Sequence, residues 1–172
     1  YMATMRIFVS HSHEDDAFCR ALVQALHSAD TDVWYDEHNL GSGQLLDVIQ
    51  RELKTRPVFV VILSKAAFHS TWVNNETKWA FNLMQRDRSR IILPVTASPI
   101  TPADFDDWLF LEDFKRVEAP NYQPFPLAEA GQRTLHALAL TPRGSAVAPA
   151  APQPTESADD LIARGKALQA QG

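Results

Sequence analysis

The chain contains a single cysteine, Cys19, in 172 residues. That excludes an internal disulfide and a zinc site built from several thiolates. Cys19 falls within an apolar helical pattern and reads as packing. No excess of basic charge is present: 16 Lys and Arg against 21 Asp and Glu leave a formal net charge of −5. A dedicated nucleic-acid binder carries a basic face, so no nucleic-acid partner is expected. Long apolar runs are missing too. The longest is Val58–Leu63, far below a membrane span, and no membrane partner is expected. The N-terminus shows neither the basic start nor the apolar core of a signal peptide, which predicts a cytoplasmic location. Hydrophobic residues at 45% and charged residues at 22% fit an ordinary globular domain with a sizeable core.

Strand-like and helix-like segments alternate along the chain. Arg6–Ser10 reads as a short strand, and Ser12-His-Glu-Asp15 after it has the S-x-x-D pattern that opens a helix. Phe18, Leu22, Ala25, Leu26 and Ala29 continue that helix. Thr31–Tyr35 is a second strand, followed by the loop Asp36–Gly43 and a helix with Leu45, Val48, Ile49 and Leu53 inward. A third strand, Val58–Leu63, follows Pro57. After the short connection Ser64–Thr71, Trp72–Met84 forms the third helix. Ile91–Val95 is a fourth strand, and a fifth is expected near Lys115–Glu118. Thr101-Pro-Ala-Asp104 resembles a helix start with Pro just inside it. Leu127, Leu135, Leu138 and Leu140 mark a last amphipathic helix. This alternation predicts an α/β fold with a flavodoxin-like, three-layer arrangement around a five-stranded parallel sheet. Strand order is not readable from the pattern.

The domain is expected to span 5–140. Residues 141–156 are rich in Pro and Ala, as in a semi-rigid linker. Residues 157–172 turn helical again, with Leu161, Ile162 and Leu168 as apolar positions. That stretch is similar to the first helix of a tetratricopeptide repeat, which needs stacked neighbours to be stable. A longer parent protein is the expectation.

One carboxylate breaks the pattern. Glu76 lies on a helix face with Trp72, Trp79, Ala80 and Leu83, at i, i+4, i+7, i+8 and i+11 from Trp72. An ionised Glu buried there without a partner costs several kcal/mol, roughly 2–7 even for a neutral polar group. Chains keep such a residue where it lines a cleft, and a strand end is where open α/β sheets bind ligands. A salt-bridging or loop-capping glutamate is the plainer alternative.

Four segments stand in order: Arg6–Asp15, Val33-Trp-Tyr-Asp36 with Gly41-Ser-Gly43, Val58–Ser64, and Ser70-Thr-Trp-Val-Asn-Asn-Glu76. Together they resemble the Toll/interleukin-1 receptor (TIR) domain over roughly residues 5–140, the last matching its W-x-x-x-E signature. The resemblance implies cleavage of NAD⁺ at the nicotinamide–ribose bond, with Glu76 catalytic and NAD⁺ as substrate, no separate cofactor being needed. It implies further that Ser10, His11 and Ser12 lie along the dinucleotide. Histidines stand here where relatives often carry aromatic or arginine residues. Leu40 and Gly41 are implied to touch NAD⁺ or a neighbouring subunit, and Trp72 to stack on nicotinamide or ribose, or else to fill the core. Self-association through homotypic TIR contacts and a role as an effector in bacterial immunity follow from the same resemblance. The alternative within the family is a non-enzymatic adaptor that works by assembly alone. His11, His13 and Asp15 are candidate ligands on one short loop without a distant partner, so no metal is expected.

Overall fold

The computed structural model describes residues 4–36, 44–118 and 127–142. The expected contacts Leu40 and Gly41, the linker beyond Pro142 and the C-terminal helix lie outside the described residues. Four strands, β1 (Met5–Ser10), β2 (Thr31–Tyr35), β3 (Val58–Leu63) and β4 (Ile91–Thr96), form a parallel sheet in the order β2-β1-β3-β4. The connections contain α1 (Asp16–His27), α2 (Gln44–Thr55), α3 (Lys65–His69), α4 (Thr71–Arg86) and α5 (Leu109–Glu112), and α6 (Leu127–Ala137) closes the described fold. No helix among the described residues is long and apolar enough to cross a membrane.

Strand periodicity sorts the core into two layers. Ile7 and Val9 of β1, with Val58, Val60 and Ile62 of β3, pack on α1 and α6. Phe8, Phe59, Val61 and Leu63 face the other way, onto α2 and α4. Every residue of β3 is buried, because helices cover both faces of the sheet. This accounts for the uninterrupted apolar run.

Among the described residues the sheet has four strands where five were expected. Of Lys115–Glu118 only Val117 joins, through one parallel bridge to Val95. The Thr96 N–H donates to the Val117 carbonyl at 2.9 Å, and the Val117 N–H donates to the Pro94 carbonyl at 2.9 Å. Residues two apart in a strand direct their N–H groups to the same side. Pro94 therefore has no N–H to offer to the residues before Val117, and among the described residues the pairing is limited to this one bridge.

The connection Ser64–Thr71 holds a helix of its own. Ser64 Oγ accepts the Ala67 N–H at 3.0 Å, and Ser70 Oγ accepts the Val73 N–H at 3.2 Å. Two serine caps thus start α3 and α4 in succession. At the opposite end of the sheet, the buried Arg56 side chain bonds Glu52 at 2.8 Å and the Asp32 carbonyl at 2.6 Å.

Candidate active site

β1 and β3 are neighbours, yet the chain leaves β1 toward β2 on one side before crossing to β3 on the other. This reversal opens a crevice at their carboxyl ends, the usual ligand position in an open α/β sheet. Ser10 ends β1, Ser64 follows β3, and both are buried. α4 runs beside them and turns Val73, Glu76, Thr77 and Ala80 inward. Trp72, Trp79 and Leu83 flank that face and are only partly buried, so the apolar stripe expected around Glu76 is centred on Val73 and Ala80.

Glu76 is 3% exposed. Its Oε1 accepts a hydrogen bond from Ser10 Oγ at 3.1 Å. Burial strips water from the carboxylate and, as the dominant cause, pushes the Glu76 pKa up from 4.5 to about 8. The Ser10 hydrogen bond opposes that rise, and the negative charge of Asp36 at the end of β2 adds to it. The carboxyl is thus neutral near pH 7 and ready to ionise once a positive charge arrives beside it.

The loop after β1 is tied down at two points. The His11 side chain, 4% exposed, meets Asp16 Oδ1 through Nε2 at 2.7 Å. Ser64 Oγ donates a short hydrogen bond to Asp15, whose pKa is raised by burial against the lowering effects of that bond and of His11. Ser12 Oγ accepts the Glu14 N–H at 3.4 Å and caps the 3-10 turn His13–Asp15. Ser10 therefore reaches Glu76 directly, whereas His11 and Ser12 are engaged with the start of α1. Trp72 sits one turn before Glu76, and its buried Nε1 finds no acceptor among the described residues. An unpaired buried donor on the helix that carries Glu76 is a group a ligand can satisfy. Trp108 is fully buried, and the partly buried Trp34 lies tilted against Phe8 with ring centroids 4.8 Å apart, so both pack with the core.

The contact between Asp15 and Ser64 and the influence of Asp36 on Glu76 escape a reading of sequence. The available signal was a polar residue at the carboxyl end of each of three strands: Ser10 as the last residue of β1, Asp36 and Ser64 directly after β2 and β3.

The family model of the TIR domain matches residues 7–123. The NAD(+) hydrolase PdTIR of Paracoccus denitrificans (strain Pd 1222) is 38% identical over 88 residues, which is 50% of this chain and 29% of that protein. The NAD(+) hydrolase TcpA of Theionarchaea archaeon (strain DG-70-1) is 35% identical over 91 residues, 52% of this chain and 27% of that protein. The match thus spans less than a third of either relative. Among solved structures, the TIR domains of the activated Roq1 resistosome recognising the effector XopQ align with a TM-score of 0.62. That alignment covers 78% of this chain and 99% of the other at 17% identity, a likeness of fold.

Proposed function

This chain belongs to the TIR-domain family, and we propose that it is an NAD⁺ nucleosidase that cleaves the nicotinamide–ribose bond with Glu76 as its catalytic residue. The observation that carries this reading is a carboxyl 3% exposed at the β1–β3 crevice, bonded to Ser10 and placed in the family's W-x-x-x-E signature. The NAD(+) hydrolases that the chain resembles support the substrate.

The chemistry suits one carboxylate. Nicotinamide in NAD⁺ is already cationic at the ring nitrogen, so it leaves as a neutral molecule without a proton from a general acid. Cleavage leaves positive, oxocarbenium-like charge on the ribose, which a nearby carboxylate stabilises. The approach of the nicotinamide ribosyl cation favours the ionised form of Glu76. Ser10 Oγ keeps Oε1 in place. Water then captures C1 of the ribose and loses a proton, giving ADP-ribose. Attack by a group within the nucleotide gives a cyclic isomer by the same balance. Trp72 offers its ring for stacking and its free N–H for a hydrogen bond to the substrate. Self-association completes the site, and the protein acts as an effector in bacterial immunity.

The test is incubation of the purified chain with NAD⁺ at high protein concentration, with products resolved by chromatography. Glu76→Gln keeps the shape and the Ser10 contact but removes the charge, and a loss of at least about 10²-fold is expected. Wild-type turnover by the Gln variant would remove Glu76 from the mechanism. A chain that assembles yet never consumes NAD⁺ would instead be the adaptor.

A further inference from the structure

α4 has two unlike flanks. On one, Phe81 packs against Phe110 and Phe114, with ring centroids at 5.0 and 6.3 Å, which holds the α5 segment to the helix. About half a turn around the axis, Trp79, Leu83 and Arg86 face α2. With Leu53 and Lys54 of α2 they line an open groove of about 220 Å³. Leu46, 39% exposed and two turns before Leu53, lies along the same stripe of α2. Leu53, Trp79 and Leu83 give the groove an apolar part, beside the neutral polar Gln50 and Asn82 and the cations Lys54 and Arg86. Neither Lys54 nor Arg86 has an ion-pair partner among the described residues.

The α5 flank has the opposite character. Leu109 is 64% exposed, the most exposed large hydrophobic side chain among the described residues. Trp108 and Leu111 on either side are fully buried, so the backbone that presents Leu109 is anchored. Asp106, Asp107, Glu112 and Asp113 surround it, all exposed. None of these carboxylates forms an ion pair with a cation among the described residues; nearby Arg116 is engaged by Glu118 and lies over Phe105, which leaves Lys115 as the one exposed base of the segment.

We propose that the α5 segment of one copy docks in the α2–α4 groove of the next, with Leu109 against Leu53, Trp79 and Leu83 and its flanking acids against Lys54 and Arg86. This rests on the self-association proposed above and names surfaces for it. The occupant is a second copy because the chain itself carries an exposed apolar side chain ringed by acids to match apolar side chains flanked by bases. Rigid presentation of Leu109 lowers the ordering cost of binding. Knob and groove lie on opposite flanks of α4, so the contact is heterologous and repeats head to tail, as a ring or an open filament. Its charged rim makes it weaken as salt rises.

Light scattering and sedimentation velocity on the full 172-residue chain test this directly. Leu109→Asp removes the knob, and Lys54→Glu with Arg86→Glu reverses the rim. Each should lower the association constant at least about tenfold, with unchanged melting temperature. Mixed together, they retain one good groove and one good knob between them, and should form a one-to-one dimer that grows no further. Asp106→Lys with Asp107→Lys, mixed with the rim reversal, restores opposite charge at both contacts and should grow into mixed assemblies with Leu109 left in place. The proposal is overturned by variants that assemble like wild type, by mixtures that stay monomeric, or by a wild-type chain monomeric up to roughly millimolar concentration. NAD⁺ cleavage read on the same samples separates the two claims. An assembling chain that leaves NAD⁺ intact defeats the enzymatic reading alone, and an active chain whose variants assemble normally defeats the interface alone.

Discussion

Glu76 links stability to catalysis through one proton. Its pKa is 4.5 in the unfolded chain and about 8 in the folded one. Below the lower value both states are protonated and the group has no effect. Between the two, the folded chain binds the extra proton, so stability falls as pH rises; above the upper value the full penalty persists. Glu76→Gln removes that dependence. In thermal melts the variant is therefore expected to gain on wild type steadily from about pH 5 to about pH 9, and a pH-independent difference would show that the carboxyl is not held neutral. The reaction should run the other way, because the ionised form stabilises the ribosyl cation. kcat/KM, which reports the free enzyme, is expected to climb toward a plateau near the folded pKa of about 8. The cationic substrate shifts the kcat profile to lower pH. Ser10→Ala takes away the hydrogen bond that opposes the rise, so its kcat/KM profile should move to higher pH; a profile that stays in place would mean that Ser10 does not act through Glu76.

The contact between α1 and α6 yields a prediction against the usual trend. Gly131 lies within α6, where Ala is ordinarily the better helix former by about 1 kcal/mol. Here a Cβ at Gly131 would stand 2.5 Å from the Ala25 Cβ, a short side chain that cannot bend away. Gly131→Ala should therefore push α6 off α1 and cost about 1–3 kcal/mol in urea unfolding. Adding Ala25→Gly should recover part of that loss, and strictly additive effects in the double-mutant cycle would refute the clash. The same packing explains what could be read in advance. Short apolar runs exposed β1 and β3, and serine caps marked where helices begin. α3 is too short for a helical period, so only its cap, Ser64, carried a signal. The fifth strand was overestimated from Val117, because the missing N–H of Pro94 matters only once β4 is known to face it. Glu76 stood out because a charge interrupts an apolar face. Its neighbours Ser10 and Asp36 did not, since their meeting depends on β1 lying between β2 and β3, and pattern alone is silent on strand order.

Taken as one body, the fold separates its proposed chemistry from its proposed contacts. Glu76 faces the crevice at the carboxyl ends of β1 and β3, while the α2–α4 groove lies on the outer side of the same helix. α4 therefore connects the two: what presses on Trp79 and Leu83 presses on the element that holds Glu76. A net charge of −5 makes free copies repel at long range, so association needs local complementarity or crowding. Closure by a neighbour would exclude water from the crevice and fix the substrate, which strengthens the electrostatic work of one carboxylate. NAD⁺ cleavage is accordingly expected to rise more than linearly with protein concentration. The measurement is the rate per chain over about a hundredfold range of concentration, paired with light scattering on the same samples. Tethering through a neighbouring segment would supply roughly millimolar effective concentration, so the increase should set in at or below that level. A rate per chain that stays constant while the protein remains monomeric would show that the site is complete in a single copy, and that assembly, where it occurs, serves something other than catalysis.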